Sequence, residues 1–195
     1  MKSLTIVAII GGLALLLLMG GCNSYNNFVD LEENTENAWS KVQSAYQRRA
    51  DLIPNLVNTV KGAADFEKET LEAVVNARAK ATSVNIDPSN ITPEQMKAFQ
   101  EAQSGLSSSL GRLLVTVEKY PELKANANFR ELQTQLEGTE NRIKVERDRY
   151  NDVVTTYNKS VRRFPASFFA SIFGFSQKAQ FEAQEGSENA PTVEF

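Results

Sequence analysis

The chain has 195 residues, a net charge of −3, and 42% hydrophobic against 23% charged residues. That is room for one domain with a real core plus an apolar segment, and it offers nucleic acid no basic surface. With no histidine, a single cysteine (Cys22) and neither a P-loop nor a dinucleotide fingerprint, the chain lacks the commonest general base, the usual metal ligands and any internal disulfide, so no cofactor is expected.

Residues 1–22 read as an anchor. Lys2 is followed by an uncharged apolar run from Leu4 to Gly21, about 18 residues, close to the length that crosses a bilayer core. Two readings fit. One is a retained transmembrane helix. The other is a lipoprotein signal ending at Leu18-Met19-Gly20-Gly21-Cys22, in which Cys22 is acylated. Either way, Lys2 on one flank and Asp30, Glu32, Glu33 and Glu36 on the other place the amino terminus in the cytoplasm and the domain outside.

Residues 23–165 read as a helical bundle. Tyr25, Phe28, Leu31, Thr35, Ala38, Val42 and Ala45 recur at helical spacing, and Ile53, Leu56, Val60, Leu71, Val74 and Ala81 continue the stripe. Pro54 interrupts it. Asp51 could cap a new helix there, with Pro54 in its first turn, or one helix could run over 25–81 and kink near Pro54. The kinked helix is preferred because Arg48 to Leu52 leaves little room for a reversal.

A loop over 82–90 follows. Thr92-Pro93-Glu94-Gln95 then starts a helix with a capping box and the seam Phe99, Gln103, Leu106, Leu110, Leu113, Val117 and Tyr120. Gly105 and Gly111 flank that seam and would permit close helix approach. Tyr120-Pro121 ends this helix. The last long helix opens near Ala127, with the seam Phe129, Leu132, Leu136, Thr139, Ile143, Tyr150, Val153, Tyr157 and Val161, and ends at Phe164-Pro165. The fold class expected is all-α, an elongated antiparallel bundle of three to four long helices.

Residues 166–195 hold an aromatic patch and a polar tail. Phe168, Phe169, Phe173 and Phe175 either form an amphipathic helix on the membrane or a partner, or cap the open end of the bundle, the preferred reading. The tail beyond Ser187 is expected to be mobile, although Phe181 and Phe195 could dock it.

Two polar clusters are the candidate sites. Arg48, Asp51 and Asn55 share a helix face beside Arg49, and either bind an anionic partner or serve structurally, Asp51 pairing an arginine and Asn55 tying off carbonyls freed by Pro54. In the second, Glu140 and Lys144, and Arg142 and Glu146, are spaced for ion pairs. Glu146 falls on the seam, so it needs a partner, with Arg48, Arg49 and Arg78 as candidates for an interhelical pair. Paired carboxylates among Glu137, Glu140 and Glu146 could in principle run acid–base chemistry, but nothing in the spacing places two across a cleft, and no enzymatic activity is expected.

The chain resembles the LemA family of small bacterial membrane-anchored proteins. The resemblance rests on Ala38-Trp39, Gln47-Arg48-Arg49-Ala50-Asp51-Leu52-Ile53-Pro54-Asn55-Leu56-Val57, Ala77-Arg78-Ala79, Tyr120-Pro121-Glu122-Leu123-Lys124-Ala125-Asn126 and Leu136-Glu137-Gly138-Thr139-Glu140-Asn141-Arg142-Ile143. The Tyr150-Asn151 and Tyr157-Asn158 pairs and Phe173-Gly174-Phe175 belong to it too. The resemblance implies an antiparallel bundle behind an N-terminal membrane segment, an envelope role without established catalysis, and family members with either kind of anchor. The reading that follows is a non-enzymatic scaffold or interaction module at the membrane, with other envelope proteins or its own copies as partners. The alternative is an extracytoplasmic sensor binding a small ligand near Pro54, in a pocket lined by Tyr46, Asn55 and Tyr150.

Overall fold

The structure, a computed structural model, describes residues 2–62 and 66–182, and within residues 2–18 only the side chains of Ile9 and Leu15. Helix α1, Lys2–Lys61, is unbroken from the apolar run into the bundle, and its 60 residues extend about 90 Å. Pro54 lies inside it, as expected. The expected continuation to Ala81 does not occur. The chain turns after Lys61, where the Gly62 amide donates to the Thr59 carbonyl at 3.3 Å, and Phe66 packs on Tyr120 with ring centroids 5.0 Å apart. Helix α2, Lys68–Ser83, then runs back along α1. The stripe had hidden this reversal because Leu71, Val74 and Ala81 of α2 face the same core as Ile53, Leu56 and Val60 of α1.

Helix α3, Pro93–Val117, begins with the expected capping box. The Gln95 amide donates to Thr92 Oγ1 (3.3 Å), the Thr92 amide donates to Gln95 Oε1 (3.1 Å), and Pro93 occupies the first turn, where its missing N–H is harmless. Pro121 does end the preceding helix but also opens a one-turn helix, α4 (Pro121–Ala125), that the periodicity did not indicate. Helix α5, Ala127–Arg162, is capped by Asn126, whose side-chain oxygen accepts from the Asn128 and Phe129 amides. It lies antiparallel to α1: Phe28 packs with Tyr157, Trp39 with Tyr150, and Arg49 with Glu140. Val154, not Val153, faces the core.

The core is stacked in three parts along α1. Farthest from the anchor, Leu56, Leu113 and Phe129 pack together; in the middle, Trp39, Phe99, Met96 and Tyr150; nearest the anchor, Phe28, Tyr157, Val161 and Ala170. Ile86 and Ile91, from the connection over 84–92 between α2 and α3, are buried in the middle part.

Residues 166–182 are built into the bundle. After a cis Phe164–Pro165 peptide, α6 (Ala166–Phe173) packs on α1 and α5. Gly174 ends α6 at φ 81°, a conformation that a side chain would strain. This lets the Phe175 amide reach the Ala170 carbonyl (3.0 Å) and lays the Phe175 ring on Phe28 at 5.1 Å. An extended strap over 176–182 follows. The expected mobility beyond Ser187, and Phe195, lie outside the described residues.

Among the described residues no helix is long and apolar enough to cross a membrane; most side chains of the Leu4–Gly21 run, and with them the expected anchor, lie outside that set.

The expected close approach at Gly105 and Gly111 is absent, since a Cβ at either position would meet nothing within 4 Å. These glycines therefore only weaken α3. Gly105→Ala and Gly111→Ala should each stabilise by up to ~1 kcal/mol, read from the denaturant midpoint. A destabilised variant would mean that the positions are covered by something beyond this fold.

Candidate functional site

The run from Tyr46 to Asn55 is helical throughout, so its charges divide between two faces. Arg48, Asp51 and Asn55 point outward, and line a shallow surface concavity with Ser44, Gln47 and Leu52. Asp51 accepts from Gln47 Nε2 at 2.7 Å rather than pairing with an arginine. Arg49 points inward and is 1% exposed. Its Nη1 donates to Ser107 Oγ at 2.8 Å and forms an ion pair with Glu140, and its Nη2 donates to Gln103 Oε1 at 2.6 Å. Gln103 in turn donates to the Ala81 carbonyl at 3.1 Å. One guanidinium thus ties α1 to α3 and α5, and reaches α2 through Gln103. The polar seam position at Gln103 was the sequence signal for this partner.

Arg78 supplies what had been expected of Asn55. Pro54 has no N–H, so the Ala50 carbonyl, four residues earlier, loses its helical donor. Arg78 Nε of α2 donates to that oxygen at 2.7 Å. Arg78→Ala should cost about 1–3 kcal/mol, the range for a charged donor on a buried acceptor. Pro54→Ala restores the backbone donor, so the same Arg78 change should then cost clearly less. A double-mutant cycle on denaturant midpoints checks this, and additive effects would refute it.

Glu146 is buried at 3% exposure, as the seam required. Its partners are not Arg48, Arg49 or Arg78. Arg149 Nη1 (3.2 Å) and Arg142 Nη2 (3.7 Å) of its own helix reach it, because α5 turns both arginines over the carboxylate, whereas Arg49 lies a turn and a half away, opposite Glu140.

Beside Arg49 a groove of about 680 Å³ opens between α3 and α5 with α1 as its floor. Its polar lining includes Lys97, Glu101, Glu140, Arg147 and Glu182. Of the pocket expected near Pro54, only Tyr46 lines this groove. Asn55 lies on the outer face, and Tyr150 is fully buried with its hydroxyl donating to the Ala179 carbonyl at 2.9 Å. Burial pushes the Tyr46 hydroxyl above its usual range, against the opposing pull of Arg147 and Arg49. Arg147, which the sequence reading passed over, stacks over Phe181 at 4.6 Å and donates to the Glu182 carbonyl at 3.3 Å.

The strap accounts for the two Tyr-Asn pairs. Asn151 donates to the Phe181 carbonyl (3.0 Å) and accepts from its amide (2.9 Å); Asn158, two turns on, does the same for Lys178 (2.9 Å each). Buried Lys178 donates to the Pro88 and Ser89 carbonyls at 3.1 and 2.6 Å and pairs with Glu32 at 3.0 Å. Burial raises the Tyr150 and Tyr157 hydroxyls well above the ordinary phenol range, with the Glu32 carboxylate adding to the effect at Tyr157. A folded pKa above the unfolded one contributes stability that is fully present below about pH 10 and lost as pH rises through the raised values. Urea midpoints should therefore hold steady to about pH 9.5 and then fall, less steeply in Tyr157→Phe.

The aromatic patch divides by direction. Phe169, Phe173 and Phe175 pack on α1: a Cβ at Gly21 would meet Phe169 at 3.2 Å, and Tyr25 lies 5.1 and 5.8 Å from Phe173 and Phe175. Phe168 faces out. Cys22 is a free, exposed thiol.

The sequence model of the LemA family matches residues 38–195. Magnetosome protein MamQ 2 of Paramagnetospirillum magneticum is 26% identical over 202 residues, covering 95% of this chain and 72% of that protein. Magnetosome protein MamQ of Magnetospirillum gryphiswaldense is 24% identical, covering 96% and 74%. Protein LemA of Metamycoplasma hominis is 26% identical over 160 residues, covering 82% and 69%.

Proposed function

Because this chain belongs to the LemA family, we propose that it is a non-enzymatic scaffold of the bacterial envelope, tethered by the start of α1 and presenting its outer face to other envelope proteins. The carrying observation is the continuity of α1. A single helix over Lys2–Lys61 holds the Arg48, Asp51 and Asn55 face at a set height, about 40 Å along the axis from Cys22. Those side chains face outward, Asp51 accepting from Gln47 of its own helix, whereas Arg49 and Arg78 bond to other helices and Arg142 pairs with buried Glu146. Ile9, Leu15 and Met19 stand exposed on the same helix, as a bilayer-facing surface requires. The tether is a retained single-pass helix rather than a lipid anchor. Cleavage before Cys22 would remove Gly20 and Gly21, on which Phe169 rests. Lys2 then lies in the cytoplasm and the bundle outside.

A photoreactive residue at position 48, crosslinked in intact cells, should yield adducts to one or two envelope proteins or to a second copy of the chain. Adducts confined to the chain itself would sink the scaffold reading.

The groove beside Arg49 favours a second reading, a sensor bundle for a small polar ligand. A thermal shift with a small dicarboxylate that disappears in Lys97→Ala would support it; no shift across a panel of such anions would dismiss it.

A further inference from the structure

The helix that closes the bundle sits where the apolar run of α1 ends. Phe169 of α6 rests on Gly20 and Gly21, and Phe173 meets Tyr25. These contacts occupy one side of α6 and leave the other bare: Phe168 is 59% exposed and Ile172 61%, four residues apart, and Phe164, in the turn just before the helix, is 89% exposed. Arg162 and Arg163, both exposed, immediately precede this row. If Leu4–Gly21 fills the hydrocarbon core, then Gly20 and Gly21 lie at its boundary, and α6, in contact with them, lies at headgroup depth. A row of large apolar side chains open to water would be unfavourable there, whereas an interfacial helix with flanking arginines gains from both apolar burial and anionic headgroups.

We infer that α6 is a membrane-interface helix, whose Phe168 and Ile172, together with Phe164 from the turn before it, enter the headgroup layer of an anionic phospholipid leaflet while Arg162 and Arg163 bind its phosphates. This rests on the tether reading above. It gives the bundle a second membrane contact beside the tether, so that α1 is braced against the bilayer rather than free to pivot.

The test uses the full chain with Cys22→Ser, reconstituted into vesicles of phosphatidylethanolamine and phosphatidylglycerol containing brominated lipid. A bimane fluorophore is attached in turn at Leu15→Cys, Phe168→Cys and Asp51→Cys. The expected result is strong quenching at positions 15 and 168 and none at 51. Arg162→Glu with Arg163→Glu, both exposed and so harmless to folding, should lower quenching at 168 toward the level at 51 while position 15 stays quenched. Quenching at 15 with none at 168 overturns the inference and leaves the tether standing. No quenching at 15 overturns the tether itself, and the inference with it.

Discussion

Replacing Phe181 by alanine should lower the unfolding free energy by about 3 kcal/mol and red-shift the emission of Trp39, the only tryptophan. Phe181 is buried in the middle of the core, with its ring centroid 5.9 Å from Trp39, 5.5 Å from Tyr150 and 6.4 Å from Phe99. Removing it leaves a cavity on one side of the indole and loosens the strap that Asn151 holds on either side of the Phe181 peptide. Because the strap is short, extended and held by side-chain hydrogen bonds from α5, part of the loss appears as local detachment before global unfolding. Acrylamide quenching of Trp39 should therefore rise even under native conditions. An unshifted, unquenched tryptophan would show that the strap does not close over the core.

Arg49→Ala should cost about 2–4 kcal/mol, from a buried cavity and the loss of the donors to Gln103 and Ser107. The ion pair contributes the smaller part: Glu140 is 46% exposed, so its carboxylate regains water once the arginine is gone. The adjacent arginine is the control. Arg48→Ala, on the outer face, should change stability by no more than about 0.5 kcal/mol. Equal shifts in denaturant midpoint for the two would refute the division of this run into an inner and an outer face. Partner capture should respond in the opposite order, failing in Arg48→Ala while the fold stays intact.

Much of this could be read from the residues in order. Helix phase reports which side of a helix is buried, so Phe28, Val42, Leu113, Ile143 and even the charged Glu146 were placed inward by spacing alone. Local chemistry was equally legible at Thr92-Pro93-Glu94-Gln95, where the capping groups lie within four residues of one another. Two kinds of information were missing. Phase is unchanged when a chain folds back onto the same core, so the reversal at Gly62 left no trace in the stripe. Partner choice depends on which turns of different helices lie level, and spacing along one helix carries nothing about that. The sequence therefore offered Arg48, Arg49 and Arg78 to Glu146 without distinction, while the fold sends Arg49 to Glu140 and Arg78 to the Ala50 carbonyl.

The sequence by itself determined the all-helical class, the family, the buried faces and the caps, since these depend on residues a few positions apart. Only the tertiary structure decided that Phe181 completes the core around Trp39, that the Tyr-Asn pairs of α5 clamp a strap, and that a proline in α1 is answered by an arginine in α2. Those contacts join residues between 20 and 142 positions apart, and they exist only once burial of the helix faces has brought the elements level.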